Sequence, residues 1–348
     1  MSIEQAKLNT KAVLRNDKIV ETIIKIVSFI SFALIILIFV FVFKEAVPLF
    51  FKAMAPKTAA AAPIEQETYG EEVTGKLEDI KSNNASKTAA TVEDAAQSLL
   101  SLGNKEWQPV SSNPQYGLAP LLWGSLKVTV ISLLIATPIS VLASLFTVVF
   151  APKKLREFIK PAIELLAGFP SVVIGFFALV TIATFSQGVF GYQSRLNAFV
   201  GGLAMAIAVA PIIFTVTEDA LNAIPKFMSE ASLALGATKW QTAIHVLLPA
   251  ATPGIFAAML LGFGRAFGET MIVIMATGNA SLNSLSIFDS VRTMSATIGA
   301  EMAEVVFGDI HYHILFLLGS ILFILTFALN AVAEFYVRQR LMKRFKGS

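Results

Sequence analysis

Pro225-Lys226-Phe227-Met228-Ser229-Glu230-Ala231-Ser232-Leu233-Ala234-Leu235-Gly236 runs straight into Ala237-Thr238-Lys239-Trp240-Gln241-Thr242-Ala243-Ile244-His245-Val246-Leu247-Leu248-Pro249. Pro225 suits the first position of a helix, where its missing N–H costs nothing, and Gly236 suits the left-handed residue that ends one. Thr238 with Gln241 three residues later has the form of a capping box, and Trp240, Ala243, Ile244 and Leu247 recur at helical spacing. Two short helices meeting at a glycine are predicted, the second broken by Pro249. Such an elbow buries little within itself and has a face to offer a partner, although the same pattern fits a plain interhelical loop.

Directly after the elbow comes Gly262-Phe263-Gly264-Arg265-Ala266-Phe267-Gly268-Glu269-Thr270. As a nucleotide fingerprint it fails, because the third glycine falls one residue late and no strand precedes it. Its apolar flanks make it part of a membrane helix. Gly264 and Gly268 form a small-xxx-small pair that permits close helix approach, and Arg265 and Glu269 lie one turn apart. An arginine near the bilayer centre costs about 2.5–3.5 kcal/mol on insertion scales, so it must face protein, water or a partner charge. Two readings follow from the residues: a structural Arg–Glu pair, or an anion-pathway arginine tethered by its glutamate.

Composition sets the class. Hydrophobic residues make up 55% of the 348 and charged residues 15%, with mean hydropathy +0.70; this describes an all-α polytopic membrane protein, not a soluble domain. No cysteine is present, which excludes disulfides, thiol catalysis and cysteine metal sites. The net charge of +3 is spread along the chain in a way that does not suggest nucleic acid. Uncharged stretches predict six spans, at Ile26–Phe43, Val128–Pro152 (interrupted by Pro138), within Leu165–Ser194, Leu196–Thr217, within 246–278, and Ile314–Ala333. A basic, polar segment (1–25) precedes the first helix (26–47). The composition of 48–120 lacks a core and reads as an extramembranous, partly disordered insertion; a membrane domain follows at 121–336, with the elbow at 225–249, and a basic tail at 337–348. Arg and Lys concentrate in the N-terminal segment, at Lys153, Lys154, Arg156 and Lys160, at Lys226 and Lys239, and in the tail. By the positive-inside rule, both termini and the elbow lie on the cytoplasmic side.

Other charges are expected to do less. Glu164 has Lys160 one turn earlier; Lys127 can snorkel outward; Glu218 and Asp219 read as solvated loop charges; Glu301 and Glu304 share an outer helical face. His245, His311 and His313 have no convergent ligands for a metal. No P-loop sequence or catalytic triad is present, so any ATP hydrolysis belongs to another subunit.

Glu230-Ala231-Ser232, then Gly236, then Val246-Leu247-Leu248-Pro249 resembles the EAA loop of ABC-importer permeases, with Ser232 for the third alanine and Val246 for the usual isoleucine. The Gly-Arg-Ala-Phe-Gly-Glu-Thr segment is similar to one in permeases of the phosphate ABC importer. Glu164-Leu165-Leu166-Ala167-Gly168-Phe169-Pro170-Ser171-Val172-Val173-Ile174-Gly175 resembles their third-helix signature, and Ala300-Glu301-Met302-Ala303-Glu304 is similar to the PstC type rather than its PstA-type paralogue. The resemblance covers about Leu121 to Phe335. It implies the MetI-like permease fold in a bacterial inner membrane and a non-catalytic subunit that carries inorganic phosphate. It implies as partners a homologous PstA-type permease, an ABC ATPase dimer that binds the ATP and Mg, and a periplasmic phosphate-binding protein, with membrane lipid around the spans. Glu230, Ala231, Gly236 and Pro249 would couple to the ATPase, and Arg265 and Glu269 would line the substrate path; this chain would hold no cofactor or metal itself. An arginine fork matches sulfate as well as phosphate, so a permease for sulfate or molybdate is the alternative within this class, and a secondary transporter the alternative outside it.

Overall fold

The structure is a computed structural model that describes residues 3–54, 100–111 and 113–345. Most of the expected disordered insertion lies outside the described residues. Helix α1 (Ile3–Met54) is followed by a two-stranded antiparallel hairpin of β1 (Trp107–Gln108) and β2 (Gln115–Tyr116). Next come α2 (Ala119–Leu145), which closes in a π turn at Phe146–Phe150, and α3 (Lys153–Ala167). Helices α4 (Ser171–Phe177) and α5 (Ala183–Phe190) are joined by a π turn at Ala178–Ile182, and α6 (Ala198–Asn222) follows. After α6 come α7 (Lys226–Ala234) and α8 (Lys239–Thr242), a π turn at Ala243–Leu247, α9 (Leu248–Phe267), α10 (Met271–Ala276), α11 (Met294–Glu301) and α12 (Ile310–Phe345).

Six stretches of the described residues are long and apolar enough to cross a membrane: Lys25–Phe51, Ala119–Phe150, Ser171–Phe190, Ala198–Asn222, Lys239–Phe267 and Ile310–Val332. The spans match the expected number, and their bounds shift for physical reasons. Helix α1 passes through Pro48 to Met54, and α2 begins at Ala119 and passes through Pro138 without a break. A proline deletes one helical hydrogen bond, but an apolar span gains nothing by unwinding where no water can satisfy the freed groups.

Helix α6 is the central pillar. It meets its neighbours through small residues: a Cβ on Gly202 would stand 2.4 Å from Ile131 Cγ2 of α2, and one on Gly201 2.4 Å from Cγ2 of Thr277, which follows α10. Ala204, Met205, Ala208, Val209 and Ile213 continue the buried stripe. Helix α9 meets the same pillar through Gly262, against Val209 and Ile213, and through Gly254, against Ala220. Close contact of small residues is how membrane helices associate when lipid is as apolar as the interface. Of the expected Gly264/Gly268 pair, only Gly264 lies at a crossing, where its added Cβ would stand 2.8 Å from Asn330 of α12; Gly268 meets only its own helix. Helix α1 packs outside this bundle along α12, with Phe39 against Phe323 and Phe41 against Phe316.

Gly202→Leu drives four carbons into Ile131, and overpacking of this kind costs about 1–3 kcal/mol or more. The expected result is a lower unfolding temperature of the purified chain in detergent, with Gly188→Leu, at a site where nothing lies within 4 Å, as the unaffected control.

Candidate coupling elbow and path residues

Helix α7 follows Pro225, which is extended and sits at the N-cap, one position earlier than expected. The chain leaves α7 through a Schellman motif: Ala237 N–H donates to the Ser232 carbonyl at 3.2 Å and Gly236 N–H to that of Leu233 at 3.0 Å. Gly236 has φ +87°, as this motif requires. The Thr238/Gln241 capping box is formed, with Gln241 N–H donating to Thr238 Oγ1 at 3.2 Å and Thr238 N–H to Gln241 Oε1 at 2.8 Å. Ser232 and Thr242 hydroxyls meet at 2.9 Å and fasten α7 to α8. The serine that departs from the alanine of the EAA pattern thus makes a bond that alanine could not.

Pro249 does not break the second helix. Leu248 N–H reaches back five residues to the Ala243 carbonyl, so the helix widens into a π turn just before the proline and continues to Phe267. The π turn at Phe146–Phe150 likewise precedes Pro152, with Ala151 N–H on the Phe146 carbonyl at 2.9 Å. At Pro249 the widening relieves the clash between the proline ring and the carbonyl four residues back, whereas the first π turn closes its helix, Ala151 and Pro152 being extended. The two π turns pack on each other through Leu145, Val148 and Phe150 on one side and Ala243, Ile244 and Leu247 on the other, with Leu221 between. The elbow and the fifth span are therefore one continuous body.

Glu230, Ala231, Gly236 and Pro249 are all exposed. Beside them, Phe227 (67% exposed), Leu235 (89%) and Trp240 (57%) stand uncovered, an apolar edge at the start of the fifth span. A cavity of about 350 Å³ opens behind α7, lined among others by Arg156, Lys226, Glu230, Lys239 and Thr242.

The structure does not join Arg265 to Glu269. Helix α9 ends at Phe267, so the two residues are not one turn apart on a continuous helix, and no ion pair or hydrogen bond links their side chains. Arg265 lies in the last turn of α9, exposed, rather than mid-span. Glu269 falls in the break between α9 and α10, where its carbonyl accepts from Ser295 Oγ at 2.6 Å.

Other charges also depart from expectation. Glu218 is inside α6 with its side chain 3% exposed, and its partner is Lys160, at 3.4 Å, in place of the expected Lys160–Glu164 pair. The pair is lopsided, a buried carboxylate against an ammonium 44% exposed, so desolvation offsets much of its attraction. Lys127 does not snorkel. Its ammonium donates to the carbonyls of Ser284 and Ser286, fixing the loop before α11. Glu301 is no solvated face: it accepts from Trp107 Nε1 at 3.0 Å and His311 Nε2 at 2.9 Å and binds Arg292. One carboxylate thereby ties the hairpin, the α11 loop and α12 together at the end of the bundle opposite the elbow. Tyr116 closes this cluster, and burial, with Asp309 and Glu301 adding negative charge, pushes its phenol up to about 12. Among the described residues, no three His, Asp or Glu side chains come together as a metal site.

Residues 136–341 match the family described as binding-protein-dependent transport system inner membrane component. The chain belongs to this family. Similar proteins include a probable ABC transporter permease, YqgH, of Bacillus subtilis (35% identical over 226 residues, 65% of this chain and 73% of the relative). The phosphate transport system permease PstC of Mesorhizobium japonicum is 32% identical over 253 residues, 67% of this chain and 76% of its own. PstC 1 of Mycobacterium bovis is 34% identical over 247 residues, 64% and 73% respectively. Among solved structures, the inward-facing MetNI methionine ABC transporter is similar at 21% identity and TM-score 0.50, over 64% of this chain and 95% of that one. The fold is thus the MetI-like permease fold in a multi-pass transport subunit.

Truncating Glu301 to alanine leaves Arg292 and His311 without their acceptor. Breaking such a pair costs about 3–5 kcal/mol when buried, so Glu301→Ala is expected to lower the unfolding temperature far more than Glu304→Ala, whose side chain is exposed.

Proposed function

We propose that this chain is the PstC-type permease subunit of an ATP-driven phosphate importer, with the elbow and both termini cytoplasmic and the hairpin end outside. The observation that carries this reading is the elbow: a Schellman-capped, hydrogen-bonded pair of helices with an uncovered apolar edge, continuous with a span. Relatives named as phosphate permeases supply the substrate. The elbow docks on an ABC ATPase dimer, which binds the ATP and Mg; a PstA-type permease completes the path, and a phosphate-binding protein delivers the anion from outside. The chain performs no hydrolysis of its own. Glu230 and Ala231 sit on the docking helix, Gly236 turns it, and Pro249 sets where the moving span begins. Arg265, free of an ion pair among the described residues, offers a cation to phosphate in transit, and Glu269 shapes the field nearby without holding the guanidinium.

A charge-assisted hydrogen bond is worth about 1.5–3 kcal/mol, or roughly 10- to 100-fold. Arg265→Gln is therefore expected to lower phosphate uptake by that factor at matched membrane abundance, in cells lacking another high-affinity system. Sulfate should not compete; uptake of sulfate by the unaltered chain would contradict the substrate. Gly236→Pro is expected to abolish uptake while the assembled complex still hydrolyses ATP, because proline fixes φ near −65° where +87° is needed. Unchanged uptake would contradict the coupling role.

A further inference from the structure

Helix α3 is joined to the preceding span through residues 151–152 and to the following one through residues 168–170. Links of two and three residues reach only about 7–11 Å, and a helix of this length measures about 22 Å. Both ends of α3 are thus held at the level where two spans leave the bilayer, at the elbow end. No residue of α3 is buried within the chain. Leu155, Phe158, Ala162 and Leu165, spaced three, four and three apart, are exposed along one stripe; Phe158 is 72% and Leu165 71% exposed. The other side grips the protein. Arg156 Nε donates to the Thr147 carbonyl at 3.0 Å and its Nη2 to that of Val148, clamping the first π turn, while Lys160 pairs with Glu218 of α6. Lys153 and Lys154, at the start of the helix, are exposed and have no ion-pair partner among the described residues.

We propose that α3 is an interfacial helix seated in phospholipid, with Leu155, Phe158 and Leu165 below the headgroups and Lys153 and Lys154 on lipid phosphates. An apolar stripe beside lysines, on a helix held in the plane of the headgroups, is the arrangement that binds the boundary between headgroups and acyl chains. The lipid seat holds the first π turn and the end of α6 still, through Arg156 and Lys160, and these are the surfaces against which the elbow packs.

The chain has no native cysteine, so single-cysteine spin labels test the seat directly. Phe158→Cys, Leu165→Cys and Glu157→Cys are labelled in the full complex, its partner subunits free of cysteine, in vesicles of phosphatidylethanolamine and phosphatidylglycerol. Labels at positions 158 and 165 are expected to relax with oxygen and not with a water-soluble nickel chelate, and the label at 157 to do the reverse. Adding Lys153→Gln and Lys154→Gln is expected to make the label at 158 shallower. Nickel access at 158 and 165 overturns the proposal by placing the stripe in water. Shielding from both reagents overturns it by placing a partner subunit there. The readout requires no transport, so it stands or falls apart from the phosphate assignment.

Discussion

A helix that crosses a bilayer must satisfy every backbone group within itself, because no water is there to do so. That constraint leaves the middle of this molecule to contacts between packed side chains, above all the close approach of small residues. Gly201 and Gly202 on α6, and Gly254 and Gly262 on α9, bring three helices so near that a single added carbon would overlap a neighbour. Turns, caps and charges are pushed to the two ends, and so is the function.

The two ends are built differently. At the hairpin end, Glu301 gathers Trp107, Arg292 and His311, and Lys127 fixes the loop before α11 through its carbonyls; the result is a rigid lid of cross-links between distant segments. Within the elbow itself, the bonds are local: a Schellman turn, a capping box and one hydroxyl pair. Local bonds let α7 and α8 hold their own shape, and the second π turn, which continues α8 without a break, rests on the first by apolar contact. A body that is stiff within and attached through a slippery apolar joint can tilt as a unit, and it carries the fifth span with it because the helix does not end at Pro249.

What could be read from the sequence follows the same division. Hydropathy gave the spans, and neighbouring residues gave the glycine turn and the capping box, because those features are decided within a few positions. Pro138 and Pro249 misled as helix breakers because in an apolar span a lost bond is tolerated or absorbed by a π turn. The Glu301 cluster was out of reach: Trp107 and Glu301 are 194 positions apart, and nothing local marks a carboxylate that will be shared three ways. Glu218 and Lys160 failed for that reason too, the nearer Glu164 being the obvious partner by spacing alone. The expected Arg265–Glu269 tether assumed a helix that continues, and Gly268 ends it.

The account turns on the uncovered apolar edge of the elbow being the surface that meets the ATPase. A photoreactive residue placed at Leu235, 89% exposed beside the left-handed glycine, tests this in intact membranes, with the same residue at Val306, 72% exposed at the opposite end, as control. The account predicts a covalent product with the ATPase subunit from position 235 and none from 306. A product with lipid alone at 235, or with the ATPase at 306, would contradict it.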